Sequence, residues 1–177
     1  MNPHPFDPFR DRLSRDIRNA LSASLPDCLQ LGSLEPAHQI AERYLATQPG
    51  PELTTYINDR LARYGQFLPQ VPSGPQDVLW QGLALWDLGL FFEVHEILEH
   101  AWLQAQGPEK DLLQAMIRAA GFYIKREFGF SEGAHKLAAK ALPVLEAHRE
   151  RLARYCNPDR LLLALREEHE QPPLLLS

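Results

Sequence analysis

The chain is poor in cysteine, in long apolar runs and in positive charge, and each shortage excludes a class of protein. Its two cysteines, Cys28 and Cys156, lie far apart and in no C-x-x-C spacing. Neither a disulfide-stapled scaffold nor a cysteine zinc cluster is expected, and free thiols fit a reducing compartment. No apolar run approaches the ~20 residues that cross a bilayer, and Leu174-Leu175-Leu176 is far too short. The opening Met1-Asn2-Pro3-His4-Pro5 has neither the charged nor the apolar region of a secretory signal. With 18 basic against 23 acidic residues and a net charge of -5, the basic surplus of a nucleic-acid binder is missing. There is no Gly-rich phosphate loop, no G-x-S-x-G elbow and no kinase or deaminase signature. The expectation is a cytoplasmic protein with no membrane partner, no nucleic-acid partner and no cofactor.

What is present reads as helix throughout, and an all-α bundle is expected. Asp7 is placed to cap a first helix, with Pro8 in its first turn. Phe9, Leu13, Ile17, Ala20 and Leu21 then recur at helical spacing. A second helix runs through Ile40, Ala41, Tyr44 and Leu45, and a third follows Pro51. The stretch Pro69-Gln70-Val71-Pro72-Ser73-Gly74-Pro75 cannot continue a helix. The chain therefore divides into an N-terminal helical region (1–70), a Pro/Gly-rich linker (71–75), a core bundle (76–156) and a C-terminal helix with its tail (157–177). In the core, Asp87-Leu88-Gly89 reads as a stop and restart, with Asp87 as a cap. Gln106-Gly107-Pro108 is a tight turn to a helix over 109–128, which should run antiparallel to its neighbour. Gly129 ends that helix and Ser131 is placed to cap the next, which Pro143 should break in two. Asn157-Pro158 starts the last helix, and Pro172-Pro173 begins a loose end. Amphipathic N-terminal helices are compatible with a homodimer.

The unusual segment is Phe91-Phe92-Glu93-Val94-His95-Glu96-Ile97-Leu98-Glu99-His100. On a helical wheel Phe91, Phe92, Val94, Leu98 and Trp102 share a wide apolar arc. His95 and Glu99 fall inside it, one turn apart, whereas Glu93, Glu96 and His100 take the opposite, wetter face. On the next helix Gln114, Arg118 and Lys125 form a polar stripe that also contains Gly121. Glycine there costs ~1 kcal/mol of helix propensity, which suggests a close approach, with Trp102 as the candidate. A semi-buried network of His95, Glu99, Arg118 and Lys125, walled by Phe91, Phe92 and Trp102, is the expectation. A buried charge requires a partner, so truncating His95 or Glu99 should then cost ~1–4 kcal/mol.

Three readings fit that network. It can be a structural lock that fixes helix register. It can line a pocket for a small molecule, an anion or a partner peptide. It can hold a metal or an acid–base pair. His95 and Glu99 at i, i+4 can clasp one ion from one helix, but the pattern is H-E-x-x-E rather than the zinc motif H-E-x-x-H. His100 lies too far round the helix to join them. Glu132-x-x-His135 lacks the second copy that a di-metal bundle requires. His135, His148 and His169 read as surface residues.

The run Leu85-Trp86-Asp87-Leu88-Gly89-Leu90-Phe91-Phe92-Glu93-Val94-His95-Glu96-Ile97-Leu98-Glu99-His100-Ala101-Trp102 resembles the signature of domain of unknown function family 309, roughly L-F-N-x-G-x-F-F-E-A-H-E-x-L-E-x-x-W. Leu113-Gln114-Ala115-Met116-Ile117-Arg118-Ala119-Ala120 resembles a second segment of that family, and Gly129-Phe130-Ser131-Glu132-Gly133-Ala134 a third. The resemblance covers roughly Gln76 to Leu145. It implies a compact all-helical fold of unassigned activity, with Glu93, His95, Glu96, Glu99 and Trp102 at the signature positions. Asp87 stands where the family commonly has asparagine, and Lys125 where it often has histidine. The resulting expectation is a helical binding or interaction module built around Glu93, His95, Glu96, Glu99, Trp102, Gln114, Arg118 and Lys125, for a small-molecule or protein partner. The alternative is a metal-dependent or acid–base hydrolase using His95, Glu96 and Glu99, with His95 and Glu99 as the metal ligands.

Overall fold

A computed structural model of the chain describes residues 6–72 and 77–176. Every regular element among them is helical, with no strand. The chain forms two compact units, Met1–Pro72 and Ser73–Ser177. Ser73, Gly74 and Pro75 of the expected linker lie outside the described residues.

The first unit holds α1 (Arg12–Leu31), α2 (Glu35–Leu45) and α3 (Pro51–Phe67), which pack pairwise, followed by a 3-10 turn over Leu68–Gln70. The first helix begins later than expected. The Asp7 carboxylate accepts the N–H groups of Phe9 and Arg10 at 2.9 and 3.2 Å, and so caps only a turn. Asp11 is the true cap of α1, taking the Ser14 N–H at 2.6 Å. Ile17, Leu21, Leu25 and Cys28 form the buried stripe of α1, against Ala37 and Ala41 of α2 and Leu53 and Ile57 of α3.

The second unit contains α4 (Val78–Asp87), α5 (Phe91–Gln104), α6 (Gly107–Glu127), α7 (Ser131–Ala147), a single turn α8 (Arg149–Leu152) and α9 (Pro158–Arg166). Each of α4 to α7 packs on the next, and α9 packs on α7. Asp77 caps α4 through the N–H groups of Leu79 and Trp80, and Asn157 caps α9 through that of Asp159. At the end of α4 the Leu90 N–H reaches the Leu85 carbonyl and the Gly89 N–H that of Trp86, with Gly89 at φ 68. This is the left-handed glycine closure that the Asp87-Leu88-Gly89 sequence implies. Asp87 does not cap it; its carboxylate is used elsewhere.

Two further expectations give way. Ser131 lies inside α7, and Phe130 at the cap position makes no side-chain hydrogen bond. Pro143 does not break α7, which runs unbroken from Ser131 to Ala147. Pro143 is exposed, while Ala138, Ala141 and Leu145 around it are buried. Burial of that face outweighs the one backbone hydrogen bond that proline forfeits.

Close packing is concentrated at two glycines. A Cβ on Gly82 of α4 would lie 3.0 Å from Leu98 Cδ2 of α5, so the leucine fills the space a side chain would need. Gly121 of α6 admits Leu137 of α7, whose Cδ1 would be 3.1 Å from such a Cβ. The close neighbour of Gly121 is thus Leu137, not the expected Trp102. An aromatic group lies in the core beside them. Tyr123 is stacked with Phe91 at 5.1 Å and meets Trp86 edge-on at 5.3 Å. Its hydroxyl is buried and has no hydrogen-bond partner among the described residues, and burial pushes its pKa up to about 12.

Gly82→Ala should destabilise the protein by about 1–3 kcal/mol, because Leu98 must leave its place. Urea unfolding followed by circular dichroism measures this. Tyr123→Phe should leave the midpoint unchanged or raise it, since an unbonded buried hydroxyl opposes folding. A drop of more than about 1 kcal/mol would reveal a partner for that hydroxyl.

Candidate functional site

The rotation of α5 decides which of its ionisable side chains meet. Leu90, Val94 and Leu98 are fully buried along one line. Phe91, Phe92 and Trp102 are only half-buried, so the aromatic side of the arc is its rim rather than its centre. With the burial line shifted toward Val94, His95 and Glu99 rotate to the partly open side. Their side chains are 31% and 48% exposed, and that of Glu96 is 47% exposed. Glu93, expected on the wet face, is instead buried, at 1%. The inward carboxylate of α5 is therefore Glu93, not Glu99.

On the open side His95, Glu96 and Glu99 converge. His95 Nδ1 lies 3.3 Å from Glu96 Oε1 and 3.9 Å from Glu99 Oε2. One ligand atom from each of the three residues falls within a sphere of mutual distances no greater than 4.8 Å. The helix explains the grouping: i and i+4 are neighbours on its surface, and Glu96 turns back toward the imidazole. His100 does not join them. Two carboxylates and one imidazole form a cluster of net negative charge, able to accept a proton or a cation.

The expected basic partners stay away. Among the described residues neither Arg118 nor Lys125 comes within ion-pairing distance of His95 or Glu99, and Gln114 makes no hydrogen bond to them. Gln114, Arg118 and Lys125 are all half-buried on α6. The Lys125 ammonium lies over the Phe130 ring at 4.8 Å from its centroid. Trp102 is covered in the same manner by the Lys110 ammonium, at 4.8 Å. The structure thus brings together His95, Glu96 and Glu99 and does not join Gln114, Arg118 or Trp102 to them.

Residues 79–137 match the family described as Domain of unknown function (DUF309). The match is to a part of the chain. It spans about a third of the 177 residues and runs from α4 into α7, so the cluster on α5 lies within it. No curated protein and no solved structure matches the chain. The description of that family assigns no activity. No helix among the described residues is long and apolar enough to cross a membrane.

Two features outside the cluster carry no mark that a sequence motif would reveal. One is a cavity of about 430 Å³ lined by Asp77, Leu79, Glu109, Leu113, Arg151 and Tyr155 among others. The Tyr155 hydroxyl donates to Asp77 Oδ2 at 2.8 Å, and burial, then this bond, raises its pKa. The other is the set of hydrogen bonds that Trp86 and Asp87 make to the backbone of Pro173, Leu175 and Leu176.

The openness of the cluster resets the expected energetics. A His–Glu pair this exposed is worth about 0–1 kcal/mol, well below the figure for a buried pair. His95→Ala and Glu99→Ala should each melt within about 1 kcal/mol of the unsubstituted protein. Differential scanning calorimetry at neutral pH checks this, and a loss of several kcal/mol in either variant would restore the structural lock.

Proposed function

We propose that the protein is a helical binding module whose ligand is a divalent cation held on the open side of α5 by His95, Glu96 and Glu99. The convergence of three ligand atoms within 4.8 Å carries this reading. An ion with ligand bonds near 2.1 Å needs donors about 3–4 Å apart, so small side-chain rotations close the set. Imidazole with carboxylate suits zinc, manganese or iron more than calcium, which prefers oxygen alone. The partial exposure of all three side chains supports an open site whose remaining positions are taken by water or by an anionic group of a partner. A closed, dry lock would leave them covered.

The exposure of the three side chains favours a second reading, metal-dependent hydrolysis. A cation at such a site would supply Lewis acidity and a bound water acidic enough to act at neutral pH. In that case only one of Glu96 and Glu99 would be a ligand, leaving the other as general base.

Titration of metal-free protein with zinc or manganese by calorimetry should give one site per chain, weakened at least tenfold by His95→Ala and by Glu99→Gln, each removing one ligand. No heat above buffer, together with no stoichiometric metal in the purified protein, would end both readings. Loaded protein that binds the ion but cleaves neither phosphate nor carboxylic esters would leave the binding module alone.

A further inference from the structure

Asp87 does not serve the helix it ends. Its Oδ1 accepts the Leu175 N–H at 2.6 Å and its Oδ2 the Leu176 N–H at 2.8 Å. Beside it the Trp86 indole N–H donates to the Pro173 carbonyl at 2.9 Å, and an Arg160 guanidinium N–H to that of Leu174 at 3.3 Å. Four consecutive residues, 173–176, are thus held through their backbone by three side chains from α4 and α9. Only one side chain of the segment is deeply placed: Leu175 is 2% exposed, whereas Leu174 is 53% exposed. The segment has no helix or strand of its own and bends at Leu175. Far from being loose, as its composition suggests, it sits like a ligand in a site.

We propose that Trp86, Asp87 and Arg160 form a peptide-docking groove, filled in cis by residues 172–176, that a proline-preceded, leucine-bearing segment of a partner protein can take over. The occupant in cis shows what chemistry fits. Two successive N–H donors must converge on one carboxylate, so neither of those positions admits proline. Two carbonyls must face the indole and the guanidinium. One leucine must fill the socket. Pro172 and Pro173 stiffen the approach and reduce the ordering cost of binding. The aspartate matters chemically. A carboxylate is acceptor-only, whereas an asparagine in its place would turn an NH2 donor toward one of the two N–H donors.

The segment is also suited to leaving. A stretch tied down by one buried side chain and a handful of backbone bonds belongs to the low-stability end of a fold. Glu168, in the connection from α9, holds a left-handed φ of 51, a conformation that non-glycine residues rarely take. Its carboxylate is paired with His135 and, at 3.9 Å, with Arg126, which sets where the segment starts.

The test uses the full chain. Leu175→Asp should empty the groove, and a labelled Pro-Pro-Leu-Leu-Leu-Ser peptide should then bind in fluorescence anisotropy. The unsubstituted protein should bind the same peptide at least about tenfold more weakly, because its tethered segment competes at high effective concentration. Adding Asp87→Asn to Leu175→Asp should abolish binding, as should an Asp in place of the second leucine of the peptide. Equal binding with and without Asp87→Asn would overturn the proposal, as would no binding to folded Leu175→Asp. Amide exchange in the unsubstituted protein gives an independent readout. The Leu175 and Leu176 N–H groups should exchange at least about tenfold faster than the slowest core amides of α6. Exchange only with global unfolding would make the segment a permanent part of the fold and overturn displacement. A concentration-dependent dimer lost in Asp87→Asn would mean exchange between copies of this chain, and would overturn the partner peptide.

Discussion

The rotation of α5 about its own axis is the constraint on which the polar chemistry of the second unit rests. Three aliphatic side chains, Leu90, Val94 and Leu98, set it by being fully buried. Gly82 on α4 makes room for the last of them, at contact distances that leave no space for a methyl group. Each such side chain contributes about 1.5–3 kcal/mol on burial, whereas an exposed His–Glu pair contributes under about 1. The aliphatic line therefore wins, and the ionisable residues go where the helix geometry carries them. His95, Glu96 and Glu99 come out together on the open side, and Glu93 goes in.

That outcome separates two roles within a single turn of helix. A buried carboxylate such as Glu93 is costly without compensation and belongs to the interior of the fold. The carboxylates of Glu96 and Glu99 keep much of their hydration, and their mutual repulsion is relieved by whatever positive charge arrives. His95 supplies part of that charge when protonated, and a cation would supply more.

The end of α4, just before α5, serves a different purpose. Trp86 is 1% exposed and contributes its ring to the core, where Phe91 and Tyr123 meet it edge-on, while its indole N–H is left to satisfy a carbonyl. Asp87, one residue later, has a carboxylate free to take two N–H groups because the closure at Gly89 completes α4 through the backbone alone. An irregular segment cannot satisfy its own N–H groups and carbonyls, and burying even one residue of it requires outside partners. Trp86, Asp87 and Arg160 are those partners for residues 173–176.

Helices, their turns and the all-α class were legible in the sequence because their causes are local: apolar spacing over neighbouring turns, Asn157-Pro158 at a helix start, Gly89 and Gly129 at helix ends. The segment 91–100 also announced itself as the place where ionisable groups and aromatics coincide. Its rotation did not, because two bulky aromatics and Trp102 shift the apparent centre of an apolar arc toward themselves, while the depth of each position depends on the helices packed against it. The same holds for Pro143, tolerated because Ala141 and Leu145 are covered, and for Asp87, whose partners lie almost ninety residues away along the chain. Sequence determined the elements and the neighbourhood of the chemistry. Only tertiary packing decided that His95 faces outward with Glu96 and Glu99, that Glu93 faces inward, and that the leucines near residue 175 are held rather than loose, since burial and long-range hydrogen bonds are properties of several segments at once.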